Sequence, residues 1–171
     1  MTANSLSLPQ ANLKIALWQI EADSMSSSDL YVWIANSGLP DDIAIRLHEL
    51  ASSTKKVGNK VISIGKIILI KIIEFIKAHP YLSTGVALGA AVGLLVNAIP
   101  FIGQFLAPLA TVLGITIGAI AGHRLDKRRQ GKEVYDVGIL GITEEIIEIA
   151  KEFFQLLIEV FILVFQEITT T

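Results

Sequence analysis

Apolar residues recur at every third or fourth position through most of the chain, the period of a helix face rather than of a strand. Between Tyr81 and Gly122 the pattern changes, and the stretch holds no Asp, Glu, Lys or Arg. One helical crossing of a bilayer takes about 20 apolar residues, so a stretch of this length accommodates two. Its middle carries helix breakers: Asn97, Pro100, Gly103, Gln104 and Pro108 separate Tyr81–Ala98 from Phe105–Gly122. Proline removes a backbone donor and collides with the preceding turn. The pattern predicts a helical hairpin, turned near Pro100, dipped into or through a membrane. A hairpin buried at the centre of a helical bundle has the same pattern.

Residues 1–10 read as a loose N-terminus and residues 11–52 as a small three-helix unit. In the first helix, Ala11–Ala22, Leu13, Leu17, Ile20 and Trp18 give an apolar side. Ser27 or Ser28 can cap a second, Asp29–Asn36, in which Leu30, Trp33 and Ile34 share helical spacing. Gly38 suits its end and Pro40 the start of a third, Asp41–Ser52, where Asp41 and Asp42 complement the helix dipole and Ile43, Leu47 and Leu50 form a stripe. Such a unit can recruit a cytosolic protein or dock on the rest of the chain.

Residues 54–79 read as a basic amphipathic helix. At about 100° per residue, Lys55, Lys56, Lys60, Lys66, Lys71 and Lys77 fall within an arc of roughly 160°, opposite Val57, Val61, Ile64, Ile68, Ile72 and Phe75. That is the composition of a helix lying on an anionic bilayer surface. Residues 123–141, a basic loop and linker, add Arg124, Lys127, Arg128 and Arg129. Residues 143–168 read as an acidic amphipathic helix capped by Thr143, with Glu148, Gln155, Glu159 and Gln166 on its polar stripe. It can pair with the basic helix by charge, or line a wet lumen through that stripe.

Within the uncharged stretch, Gly85, Gly89 and Gly93 recur at every fourth residue, as do Gly114, Gly118 and Gly122. Residues four apart share a helix face, so each arm carries a groove without side chains, along which backbones approach closely in lipid. These two segments resemble those of glycine-zipper membrane proteins, a loose group that includes small bacterial envelope proteins and pore-forming toxins. The resemblance covers the hydrophobic hairpin alone. It implies tight helix packing, between the two arms or between subunits of a homo-oligomer.

Hydrophobic residues make up 52% of the chain and its net charge is -2; its mean hydropathy is +0.60. Nucleic acid is not an expected partner, because nothing attracts polyanions in bulk and residues 11–52 set Lys14 and Arg46 against six acidic residues. No cysteine is present, and His48, His79 and His123 lie on separate elements without metal-ligand spacing. No phosphate-binding loop and no nucleophile–base pair occurs, so neither an enzyme nor a cofactor is expected. The N-terminus lacks the pattern of a cleaved signal peptide. Cationic flanks at Lys77 and at Arg124 to Arg129 predict a hairpin in the inner or cytoplasmic membrane with both termini cytoplasmic. The sequence therefore predicts an all-α fold: a membrane helical hairpin with flanking amphipathic helices and the small N-terminal unit. Its expected function is that of a self-assembling integral membrane protein that binds anionic lipid through Lys60, Lys66, Lys71, Lys77 and the basic loop, and perturbs or permeates the bilayer. The alternative is a non-conducting membrane anchor or scaffold whose N-terminal unit recruits a cytosolic partner. A third is a soluble bundle that hides the hairpin until triggered.

Overall fold

Helix starts follow local side-chain chemistry. The computed structural model describes residues 6–99, 101–113 and 143–169, with the backbone alone for Ser27 and residues 166–169. Helix α1 (Leu8–Ser24) opens on a capping box: the Ser7 hydroxyl accepts from the Gln10 N–H, and the Gln10 side chain accepts from the Ser7 N–H. Helix α2 (Ser27–Ala35) is capped by Ser26, whose hydroxyl accepts from the Asp29 N–H. Gly38 then turns the chain at φ 84°, a region that costs glycine nothing, into α3 (Asp41–Leu50). Here Asp41 and Asp42 occupy the positive first turn.

The helix expected over residues 54–79 is corrected at its start. Strands β1 (Lys55–Val57) and β2 (Lys60–Ile62) pair antiparallel, with Lys56 opposite Val61, and the helix α4 spans only Ile64–Ala78. Val57, Val61 and Ile62 favour extended backbone, and Gly58-Asn59, with Gly58 at φ 62°, supplies a two-residue hairpin turn. The shared arc of Lys55, Lys56 and Lys60 concealed this short strand pattern.

Three further helices follow: α5 (Thr84–Ala98), α6 (Gly103–Val112) and α7 (Glu144–Thr169). Thr143 caps α7, its hydroxyl accepting from the Ile146 N–H. Helix α5 packs against α4, α6 and α7; α1 lies along α7 and α4; α3 bridges α6 and α4, with α2 on α3. Every residue of α5 from Ala87 to Val96 is buried, as befits a helix that is apolar all round. On α4, Ile67, Ile68, Ile72 and Phe75 are among the covered residues. Helix α7 contributes Ile147, Ala150, Phe154, Leu157, Phe161 and Val164, spaced alternately three and four apart like a coiled-coil seam. Buried residues from all seven described helices join one core. The ends of α3 and α4 meet at Gly65, whose N–H donates to the Ser53 carbonyl at 3.0 Å. A Cβ there would overlap the Leu50 carbonyl oxygen.

The described residues are predominantly helical, as the all-α expectation required, but the membrane hairpin is overturned. Among them no helix is long and apolar enough to cross a membrane. Helices α4 and α5 have 15 residues each, about 22 Å at ~1.5 Å per residue against a hydrocarbon core of ~30 Å. Helix α7 has 26 residues but carries Glu148, Lys151, Glu152 and Glu159 along its length. The readings that depended on a transmembrane hairpin go with it: bilayer permeation, membrane anchoring, and a membrane location with both termini cytoplasmic. Among the described residues, the apolar faces of α4 and α5 are covered by neighbouring helices.

Candidate interaction surface

Helix α1 lies on the core by a different face from the one its large apolar residues suggest. Ala11, Ile15 and Ala22 are buried and Trp18 is half-buried, its ring edge-on to Phe161 with centroids 6.3 Å apart. Alanines at both ends of this contact let the α1 backbone approach its neighbours closely. Polar contacts fix its rotation. The Gln19 carbonyl oxygen accepts from the Ser63 N–H at 2.8 Å, while its amide nitrogen donates to the Ser63 hydroxyl at 3.1 Å and to Asp23 at 2.8 Å. Lys71 reaches over from α4, its Nζ 3.5 Å from the carboxylates of Glu21 and Glu74 and 5.1 Å from the Trp18 ring centroid. Burial raises the pKa of Glu74, with the Lys71 charge opposing and the Glu21 charge adding to the rise.

This placement leaves Leu13, Leu17 and Ile20 outside, with exposures of 61%, 48% and 64%. They form a stripe on the side of α1 opposite its buried residues. Of the apolar side read from the sequence, only Trp18 turns towards the core, and Leu13, Leu17 and Ile20 face outward. The signal that identifies the true inner face is the run Ala11, Ile15, Trp18 and Ala22, which has helical spacing but little bulk.

The other residues singled out by sequence fall in several places. Gly89 and Gly93 are buried within α5 and Gly85 is half-buried; the Gly93 carbonyl accepts from the Asn97 amide at 2.8 Å. Asn97 thus belongs to the last turn of α5. The chain turns between Ala98 and Gly103, Gly103 and Gln104 open α6, and Pro108 sits inside it. Lys60 is exposed on β2, Lys66 is half-buried on α4, and Lys77 is exposed in its last turn. With Lys71 engaged by α1, the lysines of α4 do not form the common lipid-facing row expected of them. Pro100, Gly114, Gly118, Gly122, Arg124, Lys127, Arg128, Arg129 and the side chain of Gln166 lie outside the described residues.

The basic and acidic helices meet through aromatic rings. Phe75 of α4 stands 5.2 Å, centroid to centroid, from both Phe153 and Phe154 of α7. His79 joins this cluster, its Nδ1 2.9 Å from the Phe75 carbonyl oxygen. Glu148 is paired with Lys151 of its own helix, at 3.7 Å. Glu148, Gln155 and Glu159 line an open groove of about 430 Å³ together with Leu94 and Ala98 of α5. Comparison of the chain with protein-family models, with curated proteins and with solved structures gave no match.

Proposed function

We propose that the chain works by binding another protein on the outer face of α1, without catalysing a reaction. The observation that carries this reading is the exposed stripe Leu13, Leu17 and Ile20 on a helix whose opposite face is fixed to the core. Single exposed apolar side chains are ordinary, whereas contiguous ones mark interaction surfaces. The stripe has the spacing by which one helix receives another in a groove or seam. It keeps the N-terminal helices as the partner-binding part of the molecule, with the contact on α1.

A photo-crosslinking amino acid placed at position 17, in the full chain produced in cells, tests this. Position 46 is the control, because Arg46 is exposed on α3 and paired with Glu49 at 3.0 Å. The expected result is a discrete adduct with a protein chain from position 17 and none from position 46. Equal labelling from both positions, or none from either, overturns the reading.

A further inference from the structure

We infer that the partner received by α1 is a second copy of the chain, its own α1 running antiparallel against the first. The inference rests on the reading of α1 as a binding face, and charge register selects the partner. Leu13, Leu17, Ile20 and Ser24 are spaced four, three and four apart, the seam of a two-helix coil. At about 100° per residue, Lys14 and Glu21 flank that seam on one side, and Ala16 and Asp23 flank it on the other. In an antiparallel pair each flank meets the same flank of the partner; in a parallel pair it meets the opposite one.

Three arrangements can then be compared. A parallel pair sets the flank of Lys14 and Glu21 against that of Ala16 and Asp23, and matches no cation with an acid across the seam. An antiparallel pair with Leu17 against the second copy's Leu13 brings Lys14 against Lys14. An antiparallel pair with Leu17 against the second copy's Ile20 brings Lys14 against Glu21 twice, once on each side of the two-fold axis, and sets Asp23 against Ala16. No like charges meet in that register, and the surface is self-complementary, as a two-fold interface requires. The groups are available for it. Lys14 makes no ion pair among the described residues, and the Glu21 side chain is 40% exposed and has room for a second cation beside Lys71. The seam is only a few turns long, smaller than the ~800 Å² per partner of a standard interface. A dissociation constant between about 1 µM and 1 mM is therefore expected.

The chain has no cysteine, which makes the register directly readable. Full-length chains carrying Leu17→Cys and Ile20→Cys are mixed and equilibrated in a thiol–disulfide buffer. The expected product is predominantly the mixed disulfide, with each homodisulfide at least several-fold less abundant. Sedimentation equilibrium of the unaltered chain should show its mass doubling with concentration. Leu17→Asp should abolish the doubling while keeping the helical circular-dichroism signal, since the side chain lies outside the core. Lys14→Glu should weaken association about tenfold or more. Disulfide yields no more biased towards the mixed species than the random ratio of about 1:2:1, or a monomer across the whole concentration range, overturn the inference. If the purified chain stays monomeric while position 17 crosslinks to a different protein in cells, the second copy is wrong and the binding face stands.

Discussion

Gly65 and Glu74 show how much one position decides here. Gly65 reads in the sequence as a weak spot near the start of a helix, yet a methyl group there meets backbone rather than a movable side chain. Gly65→Ala should therefore destabilise by about 1–3 kcal/mol or more, the cost of overpacking, despite alanine's better helix propensity. Gly103→Ala, at a glycine with open space around it, should be neutral or stabilise by up to ~1 kcal/mol. Urea midpoints of the two variants separate these effects, and equal midpoints would show that α3 and α4 are not in contact at Gly65. Glu74 is a pH lever of opposite sign to the usual carboxylate. Its pKa lies above the ordinary 4.5 because burial disfavours the charged form. The stability its neutral form contributes is complete well below pH 4.5 and is lost as pH rises through the elevated folded value. Glu74→Gln should raise the urea midpoint at neutral pH and leave it unchanged in acid, with Lys71 still held by Glu21. A variant that lost stability at neutral pH would show that the Lys71 contact outweighs burial.

Among the elements, α3 and α7 were legible from their starts, whereas the capping box that opens α1 at Ser7 and Gln10 falls within residues 1–10, expected to be loose. The Asp41–Asp42 pair and Thr143 mark the starts of α3 and α7 by groups that complement or satisfy free backbone N–H groups, whereas α2 is capped by Ser26 and not by Ser27 or Ser28, the caps expected from the sequence. The rotation of α1 was not legible from residue bulk, because leucine count favours the outer face and close packing through alanine favours the inner one. The β-hairpin was missed because the lysine arc imitates one face of a helix. Helix α7 offers a test of its seam at two adjacent phenylalanines. Phe154 is 1% exposed and Phe153 36% exposed. Phe154→Ala should cost about 3–5 kcal/mol, as for a buried aromatic, and Phe153→Ala less than half of that. Thermal or urea unfolding of the pair measures the difference. Equal losses would mean that the cluster around Phe75 and His79 matters more than the seam.

At the scale of the whole molecule, an uninterrupted apolar run suits both a bilayer span and a helix enclosed by others, because hydropathy registers only the absence of water. Length and neighbours decide for α5: its 15 residues are enclosed by α4, α6 and α7, and their company is not visible in the run itself. The same core incorporates the N-terminal helices, since buried residues of α1, α2 and α3 belong to one cluster with those of α4 to α7. Helices that share a core lose their packing together, so small domains of this kind unfold in one cooperative step. The two tryptophans report on this directly, because Trp18 and Trp33 both lie within residues 11–52, whereas the far-UV helical signal comes from the whole chain. Tryptophan fluorescence and circular dichroism should trace the same urea transition, with the same midpoint and slope, and the Leu17→Asp variant should retain that coincidence. If fluorescence changes at a lower urea concentration than the helical signal, residues 11–52 come away as a separate unit while the rest of the core persists. The contacts of α1 with α7 and α4 would then be too weak to hold its outer stripe in the fixed orientation that a specific partner requires.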